Sequence, residues 1–178
     1  MKTVTLKDKT FGISIPEAKL FEAIDKVAEK MTAELEGKNP LFLIVLNGAF
    51  MFASDLLKRV EIPAQLSFVK VASYCGTEST GKVTELIGLN EDVKGRTVVI
   101  IEDIVDTGIT MRAFMNDLRA IGAKSVALTS FLYKPDSLRY EEVTPKYYGL
   151  AIPPAFIIGY GLDINEKARN LDAIYTKV

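Results

Sequence analysis

The segment Thr97-Val-Val-Ile-Ile-Glu-Asp-Ile-Val-Asp-Thr-Gly-Ile-Thr110 carries three acids and a hydroxyl-rich turn directly behind an apolar, β-branched run. Residues 98–101 have the character of a central strand covered on both faces of a parallel sheet, so Glu102 and Asp103 fall at its carboxyl end. Ligands of open α/β sheets bind outside the carboxyl ends of the strands, which directs both acids toward a substrate rather than the core. The chain then turns through Asp106-Thr-Gly-Ile-Thr110. Gly108 lets the backbone approach an anion closely; the amides of this turn, Ile109 included, the hydroxyls of Thr107 and Thr110, and a following helix dipole all favour a phosphate. Carboxylates accept hydrogen bonds from vicinal hydroxyls and hold magnesium directly or through water, so Glu102 and Asp103 suit a ribose with Mg2+ beside it. Taken singly, Asp106 or Thr110 reads equally well as a turn former or as the cap of a helix over 110–121. Capping needs only one such residue, and it leaves two adjacent strand-end acids without a structural task.

Composition removes several other chemistries. The chain has no histidine, which excludes a Ser-His-Asp triad, a Cys-His pair and imidazole zinc sites, and leaves acid-base work to Asp, Glu, Lys or Tyr. Its single cysteine, Cys75, forms neither an intrachain disulfide nor a thiolate cluster. With 22 basic and 23 acidic residues interspersed, no basic footprint for nucleic acid stands out, and a small polar substrate is the expected partner. No apolar run reaches the length of a membrane span, and the first nine residues lack the apolar core of a signal peptide, so a cytoplasmic protein is expected.

The elements that must position the acids follow from periodicity. Pro16 opens a helical stretch with Leu20, Ile24, Val27, Met31 and Leu35 on one face, closed by Gly37. A strand over 41–46, a helix over 49–58 and a strand over 64–71 follow, then a loop over 72–83 rich in Ser, Thr and Gly, and a returning strand over 84–89. After the strand over 97–104 and its helix, 125–132 is another buried-type strand. This alternation predicts one α/β domain over 1–178: a twisted, mostly parallel sheet flanked by helices. Beyond Lys134, Pro135, Pro145, Pro153 and Pro154 interrupt short apolar runs and forbid a long crossover helix, so a small C-terminal subdomain over about 135–178 is expected.

On these residues the chain resembles type I phosphoribosyltransferases, and more closely their hypoxanthine-guanine branch. Val99-Ile-Ile-Glu-Asp-Ile-Val-Asp-Thr-Gly-Ile-Thr110 is similar to the motif that binds 5-phosphoribosyl 1-diphosphate. Residues 43–57, with Leu46-Asn-Gly48, are similar to the pyrophosphate loop and its helix; Ser73-Tyr-Cys-Gly-Thr-Glu-Ser-Thr-Gly81 to the mobile lid; and Ala155-Phe-Ile-Ile-Gly-Tyr-Gly-Leu-Asp-Ile-Asn-Glu166 to the purine-binding hood. The resemblance implies transfer of phosphoribosyl to N9 of a 6-oxopurine, hypoxanthine or guanine, with release of diphosphate. It also implies Asp106 as general base at purine N7, Lys134 as donor to the 6-oxygen, Phe156 stacking on the base and the Ile157 backbone on its edge. Asn47 and Gly48 would face the diphosphate, with Ser73 and Tyr74 in the closing lid and Arg169 on the diphosphate. Glu102, Asp103 and Asp163 would stand around Mg2+. The family commonly forms dimers or tetramers, so a homo-oligomer is implied, without nucleic acid or membrane as partner.

The chain departs from the family at Asn47, where a lysine is usual, so a positive side chain near the diphosphate is missing. The family's loop often carries a non-proline cis peptide at this point. Two other readings stay open. One is a regulatory phosphoribosyltransferase-like binding protein; the other is transfer to xanthine, which differs from guanine at a position read largely by backbone.

Overall fold

The computed structural model describes residues 3–6, 8–71 and 86–178. Its elements are β1 (Thr3–Leu6), β2 (Lys9–Ile15), α1 (Glu17–Leu35), β3 (Leu41–Leu46), α2 (Phe50–Leu57), β4 (Gln65–Val71), β5 (Leu86–Ile87), β6 (Thr97–Val105), α3 (Ile109–Ala120), β7 (Ser125–Tyr133), β8 (Tyr147–Ala151), β9 (Ile157–Ile158) and β10 (Ile174–Lys177). The main sheet runs β5-β4-β3-β6-β7-β8, with every neighbouring pair parallel except β4 and β5. From β3 the chain crosses to β4 on one side and later to β6 on the other. Strand order therefore reverses between β3 and β6, and at such a switch point the two connections diverge and leave a crevice above the strand ends.

The pleat divides the strand side chains between two cores. Phe42, Ile44, Val99 and Ile101 pack with Leu20, Ile24, Val27 and Met31 of α1 and with Phe52 and Leu56 of α2. Leu41, Leu43, Val45, Val98 and Ile100 pack with Met111, Phe114, Met115 and Leu118 of α3. Each such side chain contributes roughly 1.5–3 kcal/mol on burial, which explains why two adjacent strands without one solvent-facing side chain over 41–44 and 98–101 hold the sheet's centre rigid. Both helices begin near strand ends and so bring backbone amides to the crevice.

Two features differ from the sequence expectation. A second, antiparallel sheet in the order β1-β2-β10-β9 closes over its own cluster of Phe11, Ile158, Ala173 and Tyr175, and half of it comes from the N-terminus. The N-terminal strands β1 and β2 thus join strands of the 135–178 region in one sheet, an addition the sequence did not disclose. Conversely, β8 lies within that range but joins the main sheet, parallel to β7, with Thr129 opposite Tyr147. The prolines of this region fall outside 147–151 and leave its N–H groups free for the ladder. Among the described residues no helix is long and apolar enough to cross a membrane.

Candidate active site

The crevice at the β3/β6 reversal is a cavity of about 370 Å3, and among its walls are Gly48, Glu102, Asp103, Asp106, Thr107, Gly108, Ile109, Thr110, Asp163 and Arg169. Glu102, only 9% exposed, accepts the Asp103 amide on Oε1 at 3.0 Å, and Asp103 accepts the Ile104 amide on Oδ1 at 2.7 Å. Burial, followed by the charge of Asp103, raises the Glu102 pKa well above the usual carboxylate range, against a smaller opposing pull from the Asp103 amide. Two adjacent carboxylates without a cationic side chain are poorly stabilised alone and well suited to a divalent ion, since oxygen donors from one or two carboxylates are what Mg2+ takes from a protein. Glu102→Gln removes the buried charge at constant shape. It is expected to stabilise the ligand-free protein by about 1 kcal/mol, seen as a higher melting temperature at neutral pH, and a lower one would contradict this account.

Asp163 lines the same cavity as Glu102 and Asp103. Among the described residues no three His, Cys, Asp or Glu side chains are gathered so as to hold one ion. Asp163 Oδ1 meets Arg169 Nη2 at 2.8 Å, and Asp163 Oδ2 accepts the Glu166 amide at 2.7 Å. Arg169 also donates through Nη1 to the Gly161 carbonyl at 2.7 Å, while its buried Nε has no partner among the described residues. Arginine and aspartate thus neutralise each other on the hood wall of the cavity.

Opposite them, Gly108 caps α3 with φ 76°, and no side-chain cap bond is made there. Thr110 accordingly lies inside the first turn and is not the cap, so its hydroxyl is available to the cavity it lines. A Cβ on Gly108 would run into Val143 Cγ2, and the Thr107 carbonyl accepts the Arg139 amide at 3.1 Å. The two 3-10 turns at Pro135–Ser137 and Glu141–Val143 therefore brace the back of the phosphate-type turn, a support that the prolines of this stretch did not disclose.

Gly48 needs its missing side chain for a different reason. A Cβ there would overlap the Asp103 carboxylate, and a Cβ on Gly161 would overlap the Gly48 carbonyl. The Gly48 backbone is thus packed between the Asp103 carboxylate and the Gly161 backbone. The Leu46–Asn47 peptide is cis, and Asn47 itself is exposed and outside the cavity lining.

Lys134 stands one residue beyond β7, where the register sets Tyr133 beside Val105. Its amide donates to the Val105 carbonyl at 2.9 Å, and its Nζ meets Asp106 Oδ2 at 2.8 Å. The lysine side chain is 10% exposed and the aspartate 47%. One end of the pair is anchored in the protein and the other opens to the cavity. Phe156 is 58% exposed with its ring 6.3 Å from that of Phe11, and Ile157 is buried in β9; neither lines the cavity. Ser73 and Tyr74, with the rest of the expected lid, lie outside the described residues. Val71 and Met111 also line the cavity and lie outside the motifs read from the sequence, whereas Val45, Leu46, Ile104 and Val105 line it from within those motifs. The available signal was their position at strand ends and in the first turn of a helix.

The phosphoribosyl transferase domain model matches residues 16–165. The chain is 38% identical to the hypoxanthine-guanine phosphoribosyltransferase of Lactococcus lactis over 89% of its own length and 86% of the relative's. It is 42% identical to the bifunctional protein TilS/HprT of Listeria monocytogenes over 91% of its length, but spans only 25% of that larger protein. A crystal structure of a hypoxanthine-guanine phosphoribosyltransferase from Bacillus anthracis superposes with a TM-score of 0.84 at 32% identity, covering 94% of this chain and 96% of the other. A hypoxanthine phosphoribosyltransferase from Staphylococcus aureus gives 0.85 at 33% identity, covering 94% and 91%. A parallel sheet reversing at β3/β6, with the acidic pair and anion turn at the reversal, accompanies these matches: the chain belongs to the phosphoribosyl transferase domain family and has the type I fold.

Proposed function

We propose that this protein transfers the phosphoribosyl group of 5-phosphoribosyl 1-diphosphate to N9 of hypoxanthine and guanine, giving IMP or GMP and diphosphate. The observation that carries this reading is the Lys134–Asp106 pair opening beside the acidic, phosphate-type cavity. A 6-oxopurine offers an acceptor at O6 and a proton at N7, the two complements of an ammonium and a carboxylate. It exchanges one partly exposed ion pair for two oriented hydrogen bonds. Adenine presents an amino group where Lys134 can only donate, so it is rejected.

The sugar phosphate rests on the turn 106–110, where amides at the α3 N-terminus and the Thr107 and Thr110 hydroxyls face its charge. Glu102 and Asp103 hold the ribose hydroxyls and would bind Mg2+ through the substrate's own oxygens and water; Asp163 acts at longer range on the hood wall. Magnesium, when bound, offsets the charge on the leaving diphosphate. Asp106 takes or shares the N7 proton as the bond to N9 forms at the anomeric carbon with inversion. Phe156 supplies the exposed ring for stacking on the base, the Ile157 backbone its edge contacts, and Ser73 and Tyr74 belong to a lid over the reacting atoms.

Asn47 leaves Arg169 as the one cationic residue lining the cavity among the described residues. Asn47→Lys is therefore expected to tighten diphosphate, lowering its product-inhibition constant severalfold, by about 1 kcal/mol for one added charge-assisted contact. An unchanged constant would remove the compensation argument.

A relative from Tritrichomonas foetus, 36% identical over 151 residues, is named for hypoxanthine, guanine and xanthine, so xanthine is a second base to consider. Nucleotide formation with magnesium and 5-phosphoribosyl 1-diphosphate, followed in parallel for hypoxanthine, guanine, xanthine and adenine, tests the proposal. Transfer to the first two is expected. Adenine as the preferred acceptor, or no transfer to any base, would overturn it.

The domain works as a homo-oligomer. Leu66 and Phe68, 48% and 52% exposed, pair in register with the buried Phe42 and Ile44 on the same sheet face, and this uncovered apolar strip suits a second copy of the chain. The second sheet forms the hood, and a cytoplasmic location agrees with substrates that are phosphorylated metabolites.

A further inference from the structure

Tyr160 is an unusual residue for its surroundings. It is 2% exposed, lies in the left-handed backbone region at φ 48°, and stands between Gly159 and Gly161, each also at positive φ. Its ring packs on Phe131 at 5.0 Å, which stacks in turn on Phe52 of α2, and its hydroxyl donates to Asp55 Oδ2 at 2.6 Å. Asp55 is held from the other side by Lys58 at 2.8 Å. Burial works against the Asp55 carboxylate, but the hydrogen bonds from Lys58 and Tyr160 outweigh it and leave its pKa below the ordinary value. The hydroxyl thus ties two segments 105 residues apart in sequence.

Each segment adjoins a residue that lines the cavity, Gly48 beside α2 and Arg169 beside Gly161, without lining it itself. On one side α2 follows directly from Gly48. On the other, the Gly161 amide donates to the Arg169 carbonyl at 2.9 Å and the Gly161 carbonyl accepts Arg169 Nη1 at 2.7 Å. The backbone of Gly161 also abuts the Gly48 carbonyl. Resting on the transferase reading above, we propose that the Tyr160–Asp55 hydrogen bond is a positioning device for diphosphate, clamping the hood so that Arg169 stays aligned with Gly48 across the cavity. The clamp carries more weight in this chain because Asn47 contributes no charge, so recognition of the leaving group rests on the alignment of Arg169.

The test is steady-state kinetics of the full chain with magnesium, combined with amide hydrogen exchange. Tyr160→Phe is expected to raise KM for 5-phosphoribosyl 1-diphosphate about tenfold while kcat and KM for hypoxanthine stay within about twofold, and to speed exchange at Gly161. Asp55→Asn, which keeps an acceptor for the hydroxyl, should stay near the parent, whereas Asp55→Leu should reproduce Tyr160→Phe. Tyr147→Phe serves as the matched control. Tyr147 is 1% exposed in the same core cluster and donates to Glu34 at 3.0 Å, which ties β8 to α1 rather than the 159–161 turn to α2. It should lose comparable stability without changing that KM. An active Tyr160→Phe with parental KM or unchanged Gly161 exchange overturns the clamp, as does an equal KM rise in Tyr147→Phe. A parent that forms no nucleotide overturns the transferase reading and this proposal with it.

Discussion

Asp106→Asn is expected to lower kcat about 10²- to 10⁴-fold, the usual worth of a positioned general base, while KM for 5-phosphoribosyl 1-diphosphate changes less than about threefold. The substitution is nearly isosteric and retains an oxygen for Lys134 Nζ, which meets the carboxylate at 2.8 Å. Lys134 has a second anchor through its own amide on Val105, so the end of β7 should not move. What disappears is the capacity to receive a proton from N7. The sugar-phosphate contacts of the turn come from amides and hydroxyls and are left in place. Initial rates at saturating magnesium decide the matter: equal turnover in variant and parent would remove Asp106 as the base.

Gly48→Ala should be nearly as damaging without touching any charged group. The added methyl would overlap the Asp103 carboxylate, which is a short side chain able to rotate away rather than fixed backbone. Rotation breaks its bond to the Ile104 amide and moves its charge relative to buried Glu102. The cost in stability is expected to be about 1–3 kcal/mol, as for other overpacked sites, so the protein still folds. Activity should fall at least about 100-fold, because a displacement of about 1 Å in a positioning group has that effect. Thermal melting and initial rates on the same sample separate the two effects. Parental activity would mean that the observed orientation of Asp103 is irrelevant to turnover.

The parts of the fold legible in advance were those buried on both sides. β3 and residues 98–101 of β6 are uninterrupted apolar runs, and α1 repeats its core positions with helical spacing, so neither pattern requires knowledge of partners. The strands β1 and β2 were not anticipated. They are short, partly exposed, and stabilised by pairing with one another and with β10 at the far end of the chain, which no local pattern encodes. The same division runs through the site. The run from Glu102 to Thr110 is contiguous, and its chemistry could be read as a line of text. The Asp106–Lys134 pair depends on the parallel register of β6 and β7, and the interlocking of Gly48 with the Asp103 carboxylate and the Gly161 backbone on the approach of three distant segments. The ion pair of Asp163 with Arg169 is likewise a choice among partners that a sequence names without ranking.

The second sheet has an implication for synthesis of the chain. β10 lies between β2 and β9, so it is the strand that joins the N-terminal hairpin to the segment beside Phe156. A nascent chain paused before Ile174 could already assemble the parallel sheet and its anion turn, yet β2 and β9 would have nothing to bridge them. In such a ribosome-bound fragment the parallel sheet would stand complete while the antiparallel sheet still lacked its inner strand, and it would close only once 174–177 had left the exit tunnel.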